Sequence, residues 1–192
     1  MTHGRPRSPA ADRAILSATL RVLATDGYQA LTIEAVAAAA GVGRPTVYRR
    51  YRTKAELVSD ALLAIDAGPE PELPAPTRDA LLEMLRRAAA SLAAPGSLTV
   101  LGSLLGEAGR DPALLATFRG RVFGPRMAAV GVILERGIAG AELLPETDVA
   151  VTIDLLFGAL LARSLLGEPL DDAWLARVVE SVLAGIAMEP AR

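Results

Sequence analysis

Five side chains in one short stretch carry the chemistry most worth following: Arg44, Thr46, Tyr48, Arg49 and Lys54. An arginine guanidinium can pair with O6 and N7 of guanine through two parallel hydrogen bonds, and a threonine methyl can touch the methyl of thymine. Tyrosine hydroxyls, lysine ammonium groups and the amides at a helix N-terminus bind phosphate oxygens. Helices opening after Thr32 and Thr53 would supply such amides. Together these groups read as a surface for double-stranded DNA.

Two short helices must hold that surface. Thr32 is a good N-cap for a helix over Ile33 to Ala39. Gly41 breaks the chain, and a second helix starts near Gly43, with Arg44 and Pro45 in its first turn, and ends about Tyr48. This is helix-turn-helix spacing. Alanines at 35 and 37–40 let the two helices cross closely, and Val36, Val42 and Val47 can fill the small space between them. The second helix then presents Arg44, Thr46 and Arg49 outward, with its N-terminal part against base edges. Tyr48 is expected to face phosphate and Tyr51 to pack inward. Arg50 and Arg52 are equally well read as solvated or as phosphate contacts. Arg5 and Arg7 form a basic arm of the kind that enters a minor groove or stays unstructured.

The stretch Gly27, Thr32, Ile33, Val36, Ala37, Ala40, Gly41, Val42, Thr46, Val47, Tyr48, Tyr51, Lys54 and Leu57 resembles, in register and without gaps, the DNA-binding domain of the TetR family of bacterial repressors. It departs from the family's pattern at Gly43, where a serine-like cap is usual, at Pro45, and at Tyr51, where phenylalanine is common. The resemblance implies an all-α chain of about nine helices. An N-terminal three-helix domain over residues 1–54 would bind DNA, and helix 54–65 would link it to the rest. Residues 55–192 would form a helical regulatory and dimerisation domain. It also implies a homodimer on a roughly palindromic operator and a small-molecule inducer that releases it. Met84, Leu105, Phe118, Phe123, Met127 and Phe157 are candidate pocket residues, although ordinary core packing is the simpler role for any one of them.

The rest of the chain is helical in pattern. Helices are expected over Pro9–Ala24, Lys54–Ile65, Thr77–Ala94, Ser97–Gly109, Asp111–Gly137 (bent near Gly124-Pro125), Asp148–Leu166 and Asp171–Ala187, with Thr53, Thr77 and Ser97 as the N-caps of the second, third and fourth of these. Residues 67–76, with four prolines and a glycine, mark the likeliest internal boundary. Asp148–Leu166 is apolar around most of its circumference, so it must be covered on more than one side. The resemblance implies that this helix and the last one, Asp171–Ala187, pack across a two-fold axis against the same pair of a second copy as a four-helix bundle, with Ala162 and Val178 near the contact.

Charge and composition narrow the function. Up to Lys54 the chain has nine Lys/Arg against three Asp/Glu, a net of +6, whereas the remainder has eleven against nineteen, a net of −8. A basic head on an acidic body suits a polyanion partner. There is no cysteine, and the single histidine is His3. No Gly-rich phosphate loop ends in lysine, and the carboxylate pairs Glu70/Glu72 and Asp171-Asp172 stand at loop or cap positions. The chain is therefore expected to be no enzyme, with no cofactor and no metal. With no apolar run long enough to span a bilayer and no secretory leader, it is expected to be cytoplasmic, without a membrane partner.

Overall fold

A computed structural model describes residues 8–65, 75–94, 96–107 and 109–187. Among these the chain is helical, apart from one isolated bridge between Leu143 and Ala187. The helices are α1 (Pro9–Ala30), α2 (Ile33–Ala40), α3 (Arg44–Tyr48), α4 (Lys54–Ile65), α5 (Thr77–Ala93), α6 (Ser97–Glu107), α7 (Pro112–Phe118), α8 (Gly124–Ala139), α9 (Val149–Leu165) and α10 (Asp172–Leu183). A π-helical segment, Arg119–Phe123, joins α7 to α8 without a break in the helical backbone, so the described residues form nine helical runs.

Helix starts follow local chemistry. The side chains of Ser8, Thr32, Asp111, Asp148 and Asp171 each accept a backbone N–H three residues on, satisfying donors that the first turn leaves without partners. Thr77 behaves differently from expectation. It is the first residue of α5 rather than its cap, it is buried, and its N–H donates to the Glu142 carboxylate at 2.8 Å. A carboxylate distant in the chain thus does the capping. The first helix runs on past Ala24 to Ala30, but with a kink at Gly27. The bend foreseen at Gly124-Pro125 takes the form of the π segment just before it. Proline has no N–H to return to the preceding turn, and a π turn is one way a helix absorbs that loss.

The chain divides into two compact units, and no single cut near residue 54 separates them. The first comprises the described residues of 8–65 and 96–122. Its core joins Ile15, Leu23, Val36, Val47, Leu57 and Val58 to Val100, Leu104, Leu114 and Phe118. Helix α4 is thus built into this unit, packed on α1 and α7, while α6 packs on α1 and α7. Two polar ties add direction: Arg121 donates to Asp60 at 2.6 Å, and Gln29 donates to the buried Glu107.

The second unit comprises the described residues of 75–94 and 123–187. It packs α5, α8, α9 and α10 around Leu81, Leu85, Val130, Leu134, Leu156, Leu160, Leu175 and Val179. Arg86 makes two 3.1 Å hydrogen bonds to Asp172, linking α5 to the start of α10. Gly137 lets α8 pass close to the chain around it. A Cβ there would stand 2.6 Å from Thr77 Oγ1 and 2.9 Å from Leu143 Cδ1.

Two glycine substitutions should therefore act in opposite directions. Gly137→Ala should destabilise by about 1–3 kcal/mol through overpacking, despite alanine's better helix propensity. Gly102→Ala, in α6 where a Cβ meets nothing within 4 Å, should stabilise by up to about 1 kcal/mol. Thermal unfolding followed by far-UV circular dichroism reads both; a higher melting temperature for Gly137→Ala would contradict the packing described.

Candidate nucleic-acid interface

The turn between α2 and α3 depends on Gly41. Its φ of 67° is left-handed, and its N–H bonds to the carbonyls of Ala37 and Ala38, as a helix-ending glycine does. Val42 N–H then returns to Ala37 O at 3.0 Å. Helix α3 has only five residues, and Gly43 at its N-cap offers no side-chain bond. Pro45 in its first turn fixes φ where a helix has no use for the missing N–H. Such a helix is held by what it buries. Val47 is fully buried and Tyr51 is 7% exposed, both in the core of the first unit.

With Val47 turned inward, Arg44, Pro45, Tyr48 and Arg49 are exposed and Thr46 is half-buried. Thr32 is exposed at the start of α2, its hydroxyl occupied as the cap for Ala35 N–H. The Tyr48 hydroxyl donates to Glu34 Oε1 at 3.0 Å. That bond raises the phenol's pKa. Glu34 lies below its ordinary value, held there by a backbone N–H of its own residue first, then by the Tyr48 hydroxyl, with Arg44 adding a smaller attraction.

Two basic residues are placed differently from the simplest expectation. Arg50 is mostly buried rather than solvated. Its side chain is 11% exposed, and it donates from Nε to Asp12 of α1 and from Nη1 to Thr46 O at 2.9 Å. It serves as a strut between α1 and the end of α3. Lys54 does not stand with the arginines of α3. Its ammonium donates to Tyr28 O at 2.7 Å and lies 4.2 Å from the centre of the Tyr28 ring. Desolvation lowers its pKa, against the pull of Glu107 and Asp111. Arg52 is exposed, and its N–H donates to Glu56. Arg21, which the spacing of the motif did not single out, donates to Ala39 O at 3.2 Å and ties α1 to the end of α2. Asp12, Glu34 and Tyr28 were likewise missed, because their partners lie 14 to 38 residues away in sequence. Arg5 and Arg7 lie outside the described residues.

The six candidate pocket residues are divided between the units. Leu105 and Phe118 belong to the first, Leu105 being 58% exposed and Phe118 buried in the core. In the second unit Met84 is buried in the core, Phe123 is 39% exposed, and Met127 and Phe157 are half-buried. None of them lines the open groove of about 500 Å³ between α9 and α10, which is bordered by Leu155, Ala159, Arg163, Trp174, Val178 and Val182. The Arg163 guanidinium lies 4.7 Å from the centre of the Trp174 ring.

Two short helices joined by a glycine turn, the second seated by its apolar side and showing arginines outward, define a helix-turn-helix DNA-binding protein. Comparison with known proteins carries this further. The family description "Bacterial regulatory proteins, tetR family" matches residues 15–61, and "Tetracyclin repressor-like, C-terminal domain" matches residues 75–182. The HTH-type transcriptional regulator YdeS of Bacillus subtilis is 31% identical over 186 residues, covering 95% of this chain and 93% of its own. The DNA-binding transcriptional repressor TetR of Mycobacteroides abscessus is 33% identical over 184 residues, covering 93% and 95%. Among solved structures, the TetR family transcription regulator SCO0332 superposes with a TM-score of 0.70 at 28% identity, covering 94% of this chain and 99% of its own. The chain belongs to the TetR family of DNA-binding transcriptional regulators, which is not a family of enzymes. No single helix among the described residues is long and apolar enough to cross a membrane.

The environment of Lys54 generates a pH prediction. Tyr28 is 5% exposed, and its pKa is pushed up to about 12, first by burial and then by the charges of Asp111 and Glu107. An unfolded tyrosine titrates near about 10. The folded state therefore binds more protons above that pH, and stability falls as pH rises from about 10 through about 12. Lys54, with its lowered pKa, acts in the opposite sense, so a Tyr28→Phe variant is needed to isolate the phenol. Wild type should lose more urea-unfolding stability than Tyr28→Phe between about pH 9 and about pH 11.5. Equal losses would show that Tyr28 ionises as freely folded as unfolded.

Proposed function

We propose that the chain is a homodimeric transcriptional repressor that reads a roughly palindromic operator with α3 in the major groove and leaves it when a small hydrophobic ligand binds. The observation that carries the reading is the exposure of Arg44, Tyr48 and Arg49 on α3, with Thr46 half-buried beside them, on a head whose net charge is +6. Arg44 and Thr46 are assigned to base edges; Thr32, Gly43, Pro45, Tyr48 and Arg49 are assigned to phosphate or to shaping the approach. Lys54 is assigned a phosphate contact through whichever of its three donors the Tyr28 and Gln29 carbonyls leave over. Such a protein works in the cytoplasm, where its DNA is.

Arg44→Ala should cost about 1–3 kcal/mol on a site selected from random duplex DNA and little on a scrambled one. Arg49→Ala should weaken both alike, and affinity should fall steeply with salt, as phosphate contacts require. Anisotropy titrations on the two duplexes distinguish these effects. If Arg44→Ala binds its selected site as tightly as wild type, the assignment of base readout is wrong.

Dimerisation is assigned to the outer sides of α9 and α10. Val151 and Leu155 on α9 are more than half exposed, Ala162 is exposed, and Val178 borders the groove on α10. One recognition helix covers few base pairs, and a two-fold axis doubles the reading. Ala162→Arg or Val178→Arg would bury an unpaired charge between the copies. Each variant should scatter light as a monomer where wild type is a dimer at micromolar concentration. A monomeric wild type would remove the dimer from the proposal.

Induction is assigned to the packing of the first unit. Helices α6 and α7 share one core with α1 and α4, so a ligand that displaces α6 or α7 also displaces the seat of the recognition helix. The ligand must bind the displaced form better than the DNA-competent one for release to follow.

A further inference from the structure

One acidic residue, Glu34 at the second position of α2, stands within hydrogen-bond reach of a candidate DNA contact. Its placement runs against the electrostatics of the head. A carboxylate beside Tyr48 and Arg44 repels an approaching phosphate, and the head is otherwise strongly basic. The Glu34 carboxylate accepts the N–H of its own residue in the first turn of α2, while Thr32 accepts the Ala35 N–H at 3.1 Å. Glu34 also holds the hydroxyl of Tyr48, which donates to it at 3.0 Å while Tyr48 is 51% exposed.

A phenol has one O–H to donate. While that proton points at Glu34, Tyr48 cannot donate to a phosphate, and its remaining lone pairs face an anion that can only accept. The bond between Glu34 and Tyr48 and a bond between Tyr48 and DNA therefore exclude one another.

We propose that Glu34 is an internal stand-in for phosphate: its carboxylate occupies the Tyr48 hydroxyl in the free protein and must be displaced by a phosphate oxygen of the duplex. This rests on the reading that α3 meets DNA. The exchange replaces one hydrogen bond by another and adds the repulsion between Glu34 and the backbone. It lowers affinity for every duplex by one factor, because Tyr48 touches phosphate and no base. The head thereby keeps a basic surface for steering without being sequestered by DNA of arbitrary sequence, which vastly outnumbers any operator. Arg44 and Arg49 stay exposed for the duplex.

The test is a double-mutant cycle on the full-length chain, using anisotropy with a random-sequence duplex and a selected site. Glu34→Ala should tighten both duplexes by the same factor, about 2- to 10-fold, the range for one net hydrogen bond. In a Tyr48→Phe background most of that gain should vanish. Glu34→Gln, which keeps the volume and weakens the acceptor, should give a smaller gain of the same sign. Without DNA, Glu34→Ala should bring the Tyr48 titration down toward its ordinary value, which checks that the bond to Glu34 forms in the free protein; the gain in DNA affinity and its loss in the Tyr48→Phe background are what a merely structural role would not produce. An equal gain in the Tyr48→Phe background would overturn the proposal, leaving Glu34 as a distant charge. So would no gain, or a loss, in Glu34→Ala with Tyr48 intact. If Arg44→Ala and Tyr48→Phe both bind as tightly as wild type, α3 is not the DNA face, and the functional reading fails together with the inference.

Discussion

Less than one and a half turns of helix, closed by a handful of backbone hydrogen bonds, does not persist in water, because fixing its dihedrals costs more than so few bonds return. The recognition helix of this protein is of that length. Its existence depends on the burial of Val47 and, just beyond its end, Tyr51. Fully burying side chains of this size contributes about 1.5–3 kcal/mol each, enough to hold a helix that propensity alone would not. The rest of the head is arranged to receive those two residues. Gly41 turns the chain back, the alanines of α2 allow α3 to approach, and α1 and α4 close the core from the other sides.

Charge in the head follows the same economy. Of its basic residues, Arg50 braces α3 against α1, Arg21 braces α1 against α2, and Lys54 is drawn to a carbonyl and a ring of α1's last turn. Arg44 and Arg49 remain on the face of α3 itself. A net charge of +6 therefore overstates the number of cations offered to a duplex. Asp12 and Glu34 are engaged from the opposite sign, one orienting Arg50 and the other holding Tyr48.

The first unit is larger than a DNA-binding head alone. Val100, Leu104, Leu114 and Phe118, from a later part of the chain, complete the core that seats α3. Gln29 and Lys54 both look toward the buried carboxylate of Glu107 at the end of α6, one through a hydrogen bond and the other through charge. Communication to the recognition helix can thus be a matter of packing inside a single core.

Much of this was determined by the sequence itself. The helical class follows from apolar spacing and alanine content. The helix-turn-helix follows from Thr32, Gly41 and the Arg44–Arg49 pattern, and the inward turn of Tyr51 was expected with it. The starts of α2, α7, α9 and α10 were legible because a cap is a local device, with donor and acceptor three residues apart. Only the tertiary structure decided features whose partners are remote. It made Glu142 rather than Thr77 the cap of α5, turned Arg50 inward, engaged Lys54 with Tyr28, joined Tyr48 to Glu34 and placed α6 and α7 in the head's core. It also divided the supposed pocket residues between two units. Periodicity states which side of a helix is apolar, but not which other helix will cover it. A long polar side chain has several partners within reach, and the choice among them is made by burial and geometry after the chain has packed.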